Sequence, residues 1–385
     1  MLTALKTHVY CTLALCWILL LTSACSTQSN STDSALPEPE KHDAGADSAL
    51  QTLIDQHWQD TLQRDPVFAT TLGVRDYDQK LGSLSVAAMD AEAESAKNFL
   101  RRLQQINRQA LSENARLNRD LLARHLRSTI ARHQHSGRLM LFTNRGGWHL
   151  SFARLPERLN FKTAQDYKNY LARLRDFPRY NDEGIATLRA GIAAGYTQPC
   201  KSMAGFAKSI SSHSAATAAD SVFMRPFTQP PATPTSPTSP TSPTNSADGA
   251  MIGAMRKDAE QVLEQAVLPA YRKLLAFYTD EYNAACRNAS GLYGLPGAVE
   301  YYQYLASYYT TTQLSPKQIH SIGLDEVARI NREMQQVMEQ VKFKGDRQAF
   351  NHFLRTDPQF YPKTPAEHLK NTAYIAKQAD GGLPA

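Results

Sequence analysis

The sequence predicts an all-α fold, a multi-helix array of antiparallel helix hairpins interrupted by a Pro-rich loop. Three observations carry this. Apolar residues recur at spacings of three and four along most of the chain, while the period-two alternation of half-buried strands is scarce. Cap and breaker residues bound those stretches at helix-like intervals. Of 385 residues, 42% are hydrophobic and 20% charged, so most of the chain can bury a core.

The chain opens with MLTALKTHVYCTLALCWILLLTSAC. Lys6 supplies a positive start, and residues 9–21 form an apolar stretch of secretory-signal length, short for a membrane span. Thr22, Ser23 and Ala24 before Cys25 resemble a bacterial lipobox, with Thr22 where Leu is usual. On this reading residues 1–24 are a lipoprotein signal peptide and Cys25 is the lipidation site. Ser26 points to the outer membrane, with the protein facing the periplasm or cell surface. An ordinary cleaved signal with an incidental Cys is the alternative. Residues 25–47, rich in Ser, Thr, Asp and Pro, read as a flexible tether.

The helical part begins at 48. Leu50, Leu53, Ile54, Trp58 and Leu62 share one helical face, and Asp65-Pro66 ends that helix. Ser85 caps a second helix carrying Met89, Ala93, Ala96, Leu100 and Leu103. A third, near 114–133, carries Leu117, Leu121 and Ile130. Thr163 starts a fourth with Tyr167, Tyr170, Leu171, Leu174 and Phe177 inward, and Pro178 is expected to break it. A fifth, with Ile185, Leu188 and Ile192, stops at Gly195, which can take the positive φ of a helix C-terminus.

Residues 202–250 contain seven Pro and four charged residues, and their centre reads TSPTSPTSP. Pro lacks the amide donor and fixes φ, so 228–249 is an extended linker or surface loop. Helical pattern then resumes over 250–385, read as the same domain. Residues 252–285 form one long segment, kinked at Pro269. Ser315-Pro316-Lys317-Gln318 is a capping box with Pro at the first helical position. It opens a helix with Val327, Ile330, Met334, Val337 and Val341 on one face. Thr364-Pro365-Ala366-Glu367 repeats the device. The chain stops directly after that last helix and reads as truncated at the C-terminus.

The charge of +6, from 42 basic and 36 acidic residues without long basic runs, argues against nucleic acid as a partner, and none is expected. The only membrane partner is the one reached through the lipid anchor. None of the eleven His is followed by Glu, so the H-E-x-x-H helix of zinc peptidases is missing. There is no G-x-S-x-G elbow and no P-loop. No metal ligand set is predicted. His133 and His135 read as a basic helix terminus, and Trp148-His149 as packed aromatics. Cys200 and Cys286 either pair, in an oxidising compartment, or stay as buried free thiols. Tyr293, Tyr301, Tyr302, Tyr304, Tyr308 and Tyr309 form the densest feature. They read first as packing residues. Tyr301, Tyr302, Tyr308 and Tyr309 are also the candidate ligand-facing wall, with a peptide as candidate ligand.

The run GLYGLPGAVEYYQYLASYYTTTQLSPKQIHSIGLDEVARINREM, residues 291–334, resembles the bacterial family catalogued as domain of unknown function 885. So do PVFATTLGVRDYDQKL at 66–81 and the segment at 163–196. The resemblance implies a largely helical exported protein, often a lipoprotein. It also implies kinship with zinc-dependent metallopeptidases, whose motif Glu activates water. That family's metal motif falls beyond the segments matched here, so no catalytic residue is carried over. The expectation is the N-terminal portion of such a protein, without a cofactor of its own and inactive alone. A non-catalytic binding or scaffold lipoprotein is the alternative.

Overall fold

A computed structural model describes residues 42–214, 217–228, 246–292 and 294–383. They fold as helices and turns, and among them no strand forms, only two isolated bridges. The chain runs through α1 (Ala44–Arg64), the short α2 (Pro66–Thr71), α3 (Val86–Gln104) and α4 (Glu113–Gln134). Short α5 (Trp148–Ala153) and α6 (Leu155–Arg158) lead into α7 (Ala164–Ala193), followed by α8 (Phe206–Ser214) and the single turn α9 (Arg225–Thr228). Then α10 (Ser246–Val262), α11 (Leu268–Phe277) and α12 (Asn283–Ala285) continue one another. α13 (Ala298–Thr310), α14 (Pro316–Gln340), α15 (Arg347–Thr356) and α16 (Pro365–Gly382) end the described chain.

The first helix starts at Ala44, before its apolar pattern begins and inside the stretch read as tether. Asp43 caps α1 by accepting the Gly45 N–H at 2.8 Å, and its own N–H donates to the Ala110 carbonyl at 2.7 Å. Asp47, in the first turn, accepts from the Ser112 N–H and hydroxyl at 3.0 and 2.6 Å. These polar anchors carry no hydrophobic signal. Likewise the helix after the Pro-rich segment begins at Ser246, inside the stretch read as linker.

α1, α3 and α4 form a small unit around Leu50, Leu53, Phe99, Leu103 and Leu126. The face of α4 differs from expectation: Leu117 and Leu121 are 57% and 56% exposed, while Ala123, Leu126 and Thr129 are buried. Ala93 and Ala96 of α3 and Ala123 of α4 are buried where these two helices pack together. Small residues let the backbones approach, and the larger leucines are left outside. Trp58 is also 43% exposed.

Pro178 does not break its helix. α7 runs 30 residues through it, merging the two helices expected there. An interior Pro costs ~3 kcal/mol through one lost hydrogen bond and a ring clash. Leu174, Phe177, Ile185 and Leu188 are fully buried around it, and Phe177 stacks on Phe152 at 3.9 Å. That burial outweighs the local penalty. α7 ends where expected. Gly195 takes φ +75°, the Tyr196 N–H reaches the Gly191 carbonyl and the Gly195 N–H the Ile192 carbonyl. At Pro269 the helical hydrogen bonding widens into a π turn over Leu263–Val267, just before the residue that lacks a donor.

The main core gathers residues from both sides of the Pro-rich segment. Phe223 and Phe227 precede it, Met255 and Ala259 follow it, and all join Tyr170, Phe177 and Tyr271 in one cluster. The centre of that segment, like residues 1–24, which were read as a signal peptide, and Cys25, lies outside the described residues.

Arg173 of α7 is 1% exposed and ties the irregular 66–81 segment to this core. Its Nε donates to the Lys80 carbonyl at 2.9 Å. Its Nη2 donates to the Pro66 carbonyl at 3.1 Å, the Tyr77 carbonyl at 3.3 Å and the Thr70 hydroxyl at 2.7 Å. The Thr70 hydroxyl in turn donates to Asp78 Oδ1 at 2.6 Å. Arg75 bridges Asp78 and Asp166 at the edge. Burial pulls the Arg173 guanidinium down to about 10, with Asp78 and Asp65 opposing, so it stays charged at neutral pH.

Trp148 and His149 pack as core. Trp148 stacks on Phe142 and donates to Asn181 Oδ1 at 3.1 Å; Asn181 in turn donates to the Ala270 carbonyl at 3.1 Å. His149 is wholly buried. Its Nε2 lies 3.0 Å from the Ser209 hydroxyl, which itself donates to the Phe206 carbonyl. The ring therefore donates at Nε2, and Nδ1 has no partner among the described residues. Burial first, then nearby His213, pushes His149 down to about 4.

Two outcomes are expected. Arg173→Met leaves the charged donor's acceptors unpaired and should cost about 3–5 kcal/mol in urea unfolding; a loss under about 1 kcal/mol would show that the clamp is dispensable. For His149, the unfolded ring takes up a proton below about 6.5 while the folded ring stays neutral until about 4. Its contribution is neutral above that range and turns destabilising as pH falls, reaching ~3 kcal/mol at the lower end. Unfolding midpoints measured from pH 7 to 4 should fall, and His149→Phe should flatten that fall.

Candidate functional site

A polar cleft opens on the α1–α3–α4 unit. It encloses a cavity of about 670 Å³ with Leu81, Ala96, Phe99 and Leu126 as its apolar floor. His57, Asp60 and Arg64 stand on the α1 wall, Glu92 on α3, His125 and Arg132 on α4. A second cavity of about 300 Å³ shares Glu92, Thr129 and Arg132 with the first and reaches His133 and Arg138.

The helices place these side chains by their period. His57 and Asp60 are one turn apart on α1; His125, Thr129 and Arg132 follow one another by turns of α4. Most charges are paired. Arg64 binds both Asp60 oxygens at 2.8 and 3.0 Å, and Ser95 reaches Asp60 at 3.2 Å. Arg132 pairs with Glu92 at 2.9 Å. Asp90 accepts from the His133 ring at 2.7 Å, which holds its carboxyl below the usual range.

Two groups are left over. The His57 ring meets Phe99 edge-on at 5.2 Å and His125 at 5.4 Å with 81° between planes. Neither imidazole shares a hydrogen bond through its ring with any described residue. Loss of solvent, then the neighbouring His125, pushes His57 down, with Asp60 opposing. At neutral pH this ring offers a lone pair.

The tyrosine helix α13 reaches the α4 end of the same unit without lining the cleft. His135, just past α4, stacks on Tyr304 at 4.8 Å and meets Tyr301 at 5.4 Å. Tyr301 sits against Gly137, where a Cβ would fall 2.2 Å from its hydroxyl. Tyr301 is half-buried, while Tyr302, Tyr308 and Tyr309 are exposed, Tyr309 by 77%. The four proposed wall residues therefore do not converge on one pocket. His133 and His135 take different partners, one an acid and one a ring stack.

Cys200 and Cys286 form a disulfide with Cα atoms 5.0 Å apart. Beside it the Cys200 N–H donates to the Arg287 carbonyl and the Arg287 N–H to the Gln198 carbonyl. The bridge ties the turn after α7 to the end of α12, remote in chain from the cleft residues. Sequence reasoning passed over His57, Asp60 and His125. A His and an Asp three apart in a helix was a legible half-signal; the partner 68 residues later was not.

The structure is similar to that of a candidate lipoprotein from Colwellia psychrerythraea, with a TM-score of 0.70 and 18% identity over 87% of this chain. It is also similar to a candidate lipoprotein of unknown function from Shewanella oneidensis, with a TM-score of 0.52 and 14% identity over 85% of this chain. These identities speak for the fold. The chain spans 58% and 51% of those two proteins' lengths. No curated protein matches the chain. Residues 66–385 match the family described as bacterial protein of unknown function (DUF885), and the chain belongs to that family.

Proposed function

We propose that this chain is the helical, non-catalytic part of an exported lipoprotein related to zinc-dependent peptidases, and that α13 to α16 receive the helices that complete the peptidase fold. One observation carries the reading. Val327, Ile330 and Val337 of α14, with Val341 just past its end, are 44–59% exposed, and Leu369, Tyr374 and Ile375 of α16 more so. Only Met338 and Phe350 are buried on these four helices. In contrast α7 buries fourteen residues. Water-facing apolar stripes of this extent mark an interaction surface. Burying the exposed half of one such side chain contributes about 1 kcal/mol. The two solved relatives, which extend well beyond the span of this chain, supply the kind of occupant.

Export and lipidation rest on the sequence before Cys25 and on the descriptions of those relatives. No helix among the described residues is long and apolar enough to cross a membrane. A second reading, a binding lipoprotein that holds a peptide, is favoured by the exposure of Tyr302, Tyr308 and Tyr309.

Labelled palmitate should enter the expressed chain and be lost in Cys25→Ala. The purified chain should not cleave casein. It should bind a hydrophobic dye and self-associate. Val327→Glu with Ile330→Glu should reduce both while shifting Tm by less than about 2 °C. A much larger drop would mean that this face is already packed, and casein cleavage would overturn the non-catalytic assignment. Cooperative unfolding as a dye-silent monomer would favour the binding reading instead.

A further inference from the structure

The unpaired imidazoles of the cleft carry an inference beyond the family reading, and it uses none of the surfaces invoked above. We propose that His57 and His125 together hold a divalent transition-metal ion of the copper, nickel or zinc kind, with its remaining positions open to water or to a bound molecule's own donor atoms.

The geometry supports this in three ways. A metal–nitrogen bond of about 2.0–2.1 Å places the ring centroid about 3.2 Å from the ion, so two imidazoles at a tetrahedral angle have centroids about 5.2 Å apart. The His57 and His125 centroids are 5.4 Å apart. The 81° between their planes is no obstacle, since each ring can turn about its metal–nitrogen bond. Second, the two rings are mounted on different helices, α1 and α4, whose packing in the small core fixes their separation. Such a pair loses little freedom on binding. Third, neither ring nitrogen pair is engaged in a hydrogen bond with a described residue, and a cavity of about 670 Å³ adjoins them, room for an ion with its water and a small ligand.

The donor set chooses the ion. No group of three His, Cys, Asp or Glu converges among the described residues, so the protein supplies two imidazoles. Asp60 lies one turn from His57, but Arg64 and Ser95 already occupy its carboxylate; it contributes field rather than a bond. Magnesium and calcium need oxygen cages and are excluded by this chemistry. Imidazole nitrogen suits copper, nickel and zinc, with copper(II) tightest in the usual order. Asp60, Asp65 and Glu92 offset Arg64, Arg132 and Arg179 around the cavity, so a dication meets no net cationic wall.

The test uses the full chain, purified without a polyhistidine tag and titrated with copper(II) chloride at pH 7.5 by calorimetry and electron paramagnetic resonance. We expect one equivalent bound in the micromolar range, with splitting from two nitrogens. His125→Ala, at an exposed position, should weaken binding about tenfold or more and reduce the splitting to one nitrogen. The His57→Ala, His125→Ala double variant should abolish the site while keeping the wild-type helical circular dichroism. Magnesium chloride should give no heat. Unchanged copper binding in the folded double variant, or no stoichiometric binding by the wild type, would overturn the proposal. If the alanine variants fail to fold, His125→Gln, which keeps a polar side chain of similar size at this exposed position, still decides it by the loss of one nitrogen from the splitting.

Discussion

Buried irregular backbone must find hydrogen-bond donors, and this fold meets that demand with side chains from its long helices. Arg173 is the leading case: one guanidinium serves three carbonyls and a hydroxyl of the segment 66–81. Tyrosines do the same elsewhere. Tyr170 donates to the Phe223 carbonyl, Tyr271 to that of His149 and Tyr278 to that of Met203. Each hydroxyl sits at the end of an apolar ring, so a single residue fills core volume and satisfies a loop. Without these donors the buried carbonyls would lose water and gain nothing.

This arrangement divides the molecule by function. The main core is where α7 and the α10–α12 helix meet, cross-linked by the Trp148–Asn181–Ala270 chain and the disulfide. The smaller α1–α3–α4 unit carries the cleft, whose polar walls are mostly self-paired. The last four helices bury little and keep their apolar stripes in water. A scaffold, a polar recess and an unsatisfied apolar surface therefore occupy different parts of one chain. The segments that carry the family resemblance fall in the first and the third: 66–81 and 163–196 meet at Arg173, and 291–334 holds the tyrosine helix and most of α14.

Much of the fold was legible. Ser85, Thr163, Ser315 and Thr364 each cap the helix they announced, because capping is a local exchange between one side chain and the next turn's amides. Gly195 ends α7 for an equally local reason. Pro178 misled because its penalty is local and its compensation is tertiary. Leu117 and Leu121 misled because apolar spacing identifies a helix but not which side a neighbour approaches. The candidate site was legible only in fragments. The tyrosines stood out by density, yet they scatter over one helix face; the two histidines that face each other are isolated in the chain.

The sequence by itself determined the helical class, the positions of most helix ends, the interruption by Pro-rich chain and the family. All of these depend on composition, period and nearest-neighbour chemistry. Only the tertiary structure decided that Arg173 is a buried clamp, that Cys200 meets Cys286, that His57 meets His125 and that the stripe of α14 faces water. Each of these pairs or separates groups distant in the chain. Helix periodicity sets which side chains share a face, but the packing of one helix on another sets what that face touches.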